Sequence, residues 1–338
     1  MKTVNNCRFL ALLMVSAFSR LIVAMTIRMP KWFVGWVSRR YVAGPTLDDA
    51  VKVMKRLSSE GSCFTVDVLG EEIKSMEEAK FFLEEYKNVV KAIIENQLDS
   101  NLSIKPTAFG LLLDEKQGME NIETLVKMAN DNNLFVRLDM EDHRVTDATI
   151  KVMLDMHSKG LENVGVVLQG RLFRTVDDVN KIKQILGAKA DYRICKGIYL
   201  EPSEISHTER KPIIDATNEA IDAMLDAGSY VGIASHDYPV VNYALDALKS
   251  RGMGPNIPDP RENSGPKRDN KGPGYEFQML LGVRGNLRRK LSKEGHRTRV
   301  YVPYGEKWYE YSIRRLQENP TIGTQIVKSF LLPWTNRP

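Results

Sequence analysis

A chain of 338 residues, 43% hydrophobic, 27% charged and 8% aromatic, has a globular composition and enough length to bury a large core. Its net charge of +5 is too small and too unevenly placed for a nucleic-acid binder: Lys2, Arg8, Arg20, Arg28, Lys31, Arg39 and Arg40 all precede the first acidic residue, Asp48. Three widely spaced cysteines, Cys7, Cys63 and Cys195, with no CxxC or HExxH spacing, argue against a disulfide framework or a metal site and for a reducing compartment.

Residues 1–45 form the basic leader. Its apolar run, Phe9 to Phe18, is too short to span a bilayer before Ser19 and Arg20 interrupt it. No convincing small-residue cleavage site follows, although an acid-free, arginine-containing leader is also the pattern of a mitochondrial transit peptide. We expect one or two amphipathic helices lying on an anionic membrane surface, with Trp32, Phe33 and Trp36 at the interface. The alternative is a helical arm packed on the chain's own body.

From residue 64 a short β-rich run followed by an amphipathic helical stretch recurs. The runs are FTVDVLG (64–70), LSIKPTA (102–108), LFVRLDME (134–141), VGVVLQG (164–170), YRICKGI (192–198), VGIASH (231–236), YEFQML (275–280) and RVYVPYG (299–305). Helical segments such as SMEEAKFFLEEYKNVVKAIIENQL and TNEAIDAMLDAG lie between them, the second stopped by Gly228. Eight βα repeats predict an α/β fold of the (β/α)8 barrel type over residues 46–332, with the leader as an N-terminal helical arm. An open doubly wound sheet is the rival, but no GxGxxG follows the first run. Residues 252–274 hold five glycines and five prolines, too many for helix or strand. We read them as a loop insertion on the N-terminal face, opposite the catalytic end.

The C-terminal strand ends, where barrel active sites gather, carry Asp67, Lys105, Asp139, Gln169, Arg193, Lys196, His236, Gln278 and Tyr301. One such group is more often a satisfied core residue than a functional one. A whole ring of them has little structural excuse in an interior normally filled with branched apolar side chains. Lys105 is expected close enough to Asp139 to pair with it. Beyond the last strand, Arg314 and Arg315 are adjacent and would point about 100° apart on a helix, which suits a solvated face poorly. The excess of cations points to an anionic ligand, such as a phosphate-bearing cofactor with a carboxylate substrate. No GxSxG elbow is present for acyl transfer.

The segments RRYVAGPTLDDAVKVMKRL, LSIKPTAFG, VRLDMED, GVVLQG, YRICKGIYLE, ASHD, YEFQMLLGVR, YVPYG and YSIRRLQENP appear in this order, and together they resemble the flavin-dependent proline dehydrogenases from about residue 38 to 332. The resemblance implies oxidation of L-proline to 1-pyrroline-5-carboxylate on FAD, with electrons passed to a membrane quinone. It places Lys105 and Asp139 beside the substrate and Tyr301, Tyr199 and Tyr311 along its walls. Leu280 would be an apolar lid, and Arg314 and Arg315 would hold the proline carboxylate. Lys105, Asp139 and Tyr301 are the expected catalytic set. Gln169, Arg193, Lys196, His236 and Glu318 would hold the flavin. It further implies a protein of the cytoplasm or, in a eukaryote, the mitochondrion, peripheral on the inner membrane, whose product a separate pyrroline-5-carboxylate dehydrogenase would receive. Departures from the family pattern are Pro106 after Lys105, the small Gly170 and the aliphatic Leu200 near the expected flavin, and the 252–274 insertion. Rival readings are hydroxyproline oxidation, which Tyr301 disfavours because relatives preferring that substrate are expected to carry a smaller residue there, a folate-reducing flavin barrel, and a scaffold that has lost its flavin.

Overall fold

All eight predicted strands form. The computed structural model describes residues 35, 38–71, 73–261, 274–309, 311 and 312. The strands are β1 (Cys63–Val68), β2 (Ser100–Ile104), β3 (Val136–Leu138), β4 (Val164–Gln169), β5 (Asp191–Cys195), β6 (Tyr230–Ala234), β7 (Tyr275–Leu280) and β8 (Thr298–Tyr304). They pair in parallel in chain order, and β8 closes onto β1. The helices are α1 (Leu47–Ser58), preceding the barrel, then α2 (Met76–Glu95), α3 (Glu115–Asp131), α4 (Thr146–Ser158), α5 (Thr175–Leu186), α6 (Arg210–Asp226), α7 (Tyr238–Ser250) and α8 (Gly285–Lys293), one after each of the first seven strands. The rival open sheet is thereby excluded.

Side chains alternate along each strand, so the two faces of the wall have different chemistry. Phe64, Val66, Leu102, Ile104, Val136, Leu138, Val231 and Ile233 are completely buried in the apolar cluster that joins the wall to the helices. Each contributes about 2 kcal/mol of burial. The intervening residues face the barrel axis, and many are polar: Thr65 and Asp67, Ser103, Arg137 and Asp139, Arg193, Glu276 and Gln278, Arg299 and Tyr301. Parallel register sets them in rows, with Thr65 level with Tyr301 and Arg193 level with Gly232. Glycine makes this crowding possible. A Cβ on Gly165 would lie 2.3 Å from the Asp191 carbonyl oxygen and 2.7 Å from Arg137 Nη1. Arg137 fills that space, ion-paired with Asp191 and donating to the Asp191 carbonyl at 2.7 Å.

Helix starts are locally encoded. Thr46 and Asp49 form a reciprocal capping box at the head of α1, with the Asp49 N–H donating to Thr46 Oγ1 and the Thr46 N–H to the Asp49 carboxylate at 3.2 Å. Thr46→Ala is expected to cost about 1 kcal/mol, read as a lower urea midpoint at unchanged slope. At the other end of a helix, Gly228 follows α6 with φ +73°, as the stop signal required.

The predicted strand runs overshoot where turn chemistry intervenes. β2 stops at Ile104, and Pro106 opens a 3-10 turn, Pro106–Phe109, that Lys105 precedes in extended conformation. A first helical position lacks a bonded N–H, so proline fits it. The 252–274 segment connects α7 to β7, and residues 262–273 of it lie outside the described residues. Its described part is anchored by Arg261, which pairs with Asp259 at 2.8 Å and donates to the Leu225 and Ser229 carbonyls at 3.0 Å. Most of the leader lies outside the described residues. Its last part packs on the barrel's C-terminal rim: Ala43 N–H donates to the Pro303 carbonyl at 2.9 Å and Arg40 Nε to the Gly282 carbonyl at 3.2 Å. Among the described residues no helix is long and apolar enough to cross a membrane.

Candidate active site

At the C-terminal mouth the strands deliver one dense polar cluster. Asp139 follows β3 and accepts three hydrogen bonds: from Ser103 Oγ at 2.7 Å and Arg193 Nη1 at 2.6 Å on Oδ1, and from the Tyr301 hydroxyl at 2.6 Å on Oδ2. The Arg193 guanidinium also lies 5.3 Å above the Tyr301 ring, a cation–π distance. Burial, reinforced by the neighbouring Asp139 charge, pushes the Tyr301 hydroxyl well above its ordinary pKa, so it stays protonated and donates.

Lys105 departs from expectation. Its ammonium pairs with Asp67 Oδ1 at 2.6 Å rather than with Asp139. β2 lies between β1 and β3 with an aspartate on each flank, and the long lysine side chain leans toward β1, where Asp67 is 1% exposed and most needs a counter-charge. Burial opposes the lysine's charge, but Asp67 and then Asp139 outweigh it and raise the Lys105 pKa.

A second group lies along β4 to β6. Gln169 is buried; its Nε2 donates to the Glu141 carbonyl at 2.8 Å, while its Oε1 has no hydrogen-bond partner among the described residues. Gly197, at φ +90°, clears that oxygen, since a Cβ there would come within 2.5 Å of it. Glu141 itself is fixed by the Thr107 hydroxyl at 2.6 Å. Lys196 pairs with Asp237, which Arg210 also approaches at 3.5 Å; partial burial opposes the Asp237 charge, yet the two cations hold its carboxyl below the usual range. His236 Nε2 accepts the Leu280 N–H at 3.0 Å, fixing the imidazole and that end of β7 together.

Of the predicted site residues, the structure brings Asp139, Arg193 and Tyr301 into direct contact and sets Lys105 beside them, just past the end of β2. Gln169, Lys196 and His236 line the adjoining arc, with Leu280 half-buried on β7. Tyr199 follows β5 and accepts a hydrogen bond from Arg171 through its carbonyl. Tyr311 is buried in a separate small cluster with Val42, Leu69 and the half-buried Trp308, where the leader meets the barrel rim. Arg314, Arg315 and Glu318 lie outside the described residues. Ser103, absent from the predicted set, was legible by alternation, two residues before Lys105 on the same face of β2. The small Gly170 has a packing cause, because a Cβ there would lie 2.1 Å from Thr217 Oγ1 and 2.7 Å from Thr217 Cα on α6. Leu200 is 98% exposed.

The family model described as "Proline dehydrogenase" matches residues 50–327. Proline dehydrogenase 1 of Bacillus subtilis subsp. natto is 33% identical over 294 residues, covering 87% of this chain and 90% of that protein. The chain belongs to the proline dehydrogenase family. The proline dehydrogenase of Deinococcus radiodurans is 29% identical over 299 residues, with 87% of this chain and 90% of that protein covered. Among solved structures, proline utilization A from Bdellovibrio bacteriovorus, inactivated by N-propargylglycine, superposes with a TM-score of 0.72 at 20% identity. The match covers 83% of this chain but 32% of that much longer one. The Bradyrhizobium japonicum protein gives 0.67 at 16% identity, over 82% of this chain and 30% of that one. These likenesses show the shared barrel.

Membership implies a flavin cofactor, and the residues present fit one. The unpartnered Gln169 acceptor suits a ring that carries an N–H, and Arg193, Lys196 and His236 suit its carbonyl oxygens and phosphates. Among the described residues no cluster of His, Cys, Asp and Glu could hold a metal ion.

Proposed function

We propose that the chain is a proline dehydrogenase that oxidises L-proline to 1-pyrroline-5-carboxylate, with FAD as cofactor and a membrane quinone as the final electron acceptor. The observation that carries this reading is the triple hydrogen bond on Asp139, from Ser103, Arg193 and Tyr301, at the catalytic mouth of a barrel of this family.

Gln169, Arg193, Lys196, His236 and Glu318 would hold the FAD, whose chemistry is to accept a hydride from the proline ring carbon beside the nitrogen. The protein's part is position and electrostatics. Arg314 and Arg315 would clamp the proline carboxylate, a role supported by the likeness of YSIRRLQENP to the family motif. Lys105, Asp139 and Tyr301 would flank the ring, while Leu280, Tyr199 and Tyr311 would exclude water. Both Asp139 oxygens already accept hydrogen bonds, so the carboxylate has little left to stabilise a protonated amine. The cations Lys105 and Arg193 disfavour that charge further. Proline is thereby held with its amine neutral, so the nitrogen lone pair can stabilise the iminium that forms as hydride departs. The iminium is the protonated form of the product.

The leader, residues 1–45, would hold the barrel, residues 46–332, against the inner-membrane surface as a peripheral protein. That arrangement suits a quinone acceptor, and a separate pyrroline-5-carboxylate dehydrogenase would take the product. The 252–274 insertion would lie away from the chemistry. Tyr301 would favour proline over hydroxyproline, since relatives preferring hydroxyproline are expected to carry a smaller residue there. Steady-state turnover with a soluble dye acceptor is the test. L-Proline is expected to be used at least tenfold more efficiently than trans-4-hydroxy-L-proline, and equal efficiency would overturn the assignment of substrate.

A further inference from the structure

Glu276 lies on β7 below the mouth and is 1% exposed. Its Oε1 accepts from Arg299 Nε and from Gln278 Nε2, each at 2.6 Å; its Oε2 accepts from the Tyr230 hydroxyl at 3.0 Å, with Arg297 Nε 3.5 Å away. A carboxylate among these donors acts only as an acceptor, so the Gln278 amide must turn its NH2 toward it. The opposite end of the same amide, Oε1, then faces Arg193 and accepts its Nε–H. Arg193 in turn presents Nη1 to Asp139 at 2.6 Å. Reversing the amide would set its NH2 against the guanidinium, donor to donor, and its oxygen against the Glu276 carboxylate, acceptor to acceptor. The wall leaves room for this amide. A Cβ on Gly232 would lie 2.4 Å from Gln278 Nε2 and 3.0 Å from its Cδ, so only glycine leaves room for the amide.

We propose that Glu276 is a positioning residue for the reaction. Resting on the function proposed above, it acts through Gln278 to aim the Arg193 guanidinium at Asp139 and the flavin. Glu276→Gln replaces a pure acceptor by an amide that satisfies either orientation of Gln278, so the direction of the relay is lost while volume is kept. The flavin band and midpoint potential of the purified holoenzyme are read first. Both are expected to shift, the potential downward, because a cation aimed at the flavin stabilises its reduced form. Turnover is expected to fall about tenfold, with the proline KM within twofold.

Glu276→Gln also leaves Arg299 without its buried counter-charge. Gln278→Met therefore breaks the relay from the other end while Glu276, Arg299 and Tyr230 stay paired. It is expected to give the same spectral shift and loss of kcat, and the double variant should be no worse than either single one. The proposal is overturned if either folded variant lowers only the melting temperature, with flavin band, potential and kcat unchanged. Additive losses in the double variant overturn it too. If Glu276→Gln does not fold, an unaltered Gln278→Met decides against it. A wild type that holds flavin but is not reduced by proline defeats the proposed function instead, and the Glu276 assignment is then judged on the flavin band.

Discussion

Asp139→Ala is expected to lower kcat/KM for proline by about two orders of magnitude and the stability of the fold by roughly 3 kcal/mol. The carboxylate accepts from the Tyr301 hydroxyl and, among the described residues, is the only carboxylate ion-paired with Arg193. Removing it leaves a guanidinium, with 7% of its side chain exposed, that has lost its counter-charge. Taking one partner from a buried pair costs more than replacing both, because the charge left behind has already lost its water. Asp139→Asn keeps one oxygen acceptor and most of the volume, so its loss of stability should be less than half as large. Tyr301→Phe removes a single donor and should cost about 1 kcal/mol. Urea midpoints and steady-state rates order the three variants. An alanine variant as stable as the wild type would mean that Arg193 finds another partner and that the cluster is not centred on Asp139.

Gly165→Ala in β4 is expected to destabilise the protein by about 3 kcal/mol without touching the mouth. The added Cβ would meet the Asp191 carbonyl oxygen at 2.3 Å and Arg137 Nη1 at 2.7 Å. The first of these is strand backbone in the adjoining β5, which cannot swing aside as a side chain can. Arg137 would have to move as well, putting at risk its ion pair with Asp191 and its bonds to the Asp191 and Val166 carbonyls. Gly285→Ala is the control. Its Cβ would meet only the flexible end of the Arg289 side chain, at 3.3 Å, and it should change stability by less than about 0.5 kcal/mol. Thermal melting of the two variants side by side separates a packing role from a general aversion to substituting glycine.

Much of this architecture was legible before any coordinates. The recurrence of a short β-rich run followed by an amphipathic helical stretch marked all eight strands, whose helix-facing side chains, such as Val66, Leu102 and Val231, are apolar and buried. The C-terminal strand ends exposed the inward polar row, since Asp67, Asp139, Arg193 and Tyr301 stood where an ordinary barrel would have aliphatic residues. What the pattern could not supply was pairing within that row. Lys105 has an aspartate on either side, and strand order alone does not say which carboxylate a four-carbon side chain will reach. β3 proved to be three residues long and β2 stopped before Lys105, because Pro106 begins a turn that a strand-length estimate ignores. Glu276 was invisible as a functional candidate, since a glutamate at the start of a strand reads as a surface residue until the closed barrel surrounds it with Arg299, Tyr230 and Gln278. The small Gly170 looked like a departure near the cofactor until α6 was found packed against it. The paired arginines, Arg314 and Arg315, and Glu318 fall outside the described residues, so their assignment rests on the family motif.

The most direct test of the account is a single turnover without oxygen or any other acceptor. Purified holoenzyme is mixed anaerobically with L-proline while the flavin band is followed and the product is trapped with o-aminobenzaldehyde. The account predicts that the band bleaches fully, with about one pyrroline-5-carboxylate formed per flavin reduced, and that D-proline leaves it unchanged. A flavin that stays oxidised in the presence of saturating L-proline would contradict it.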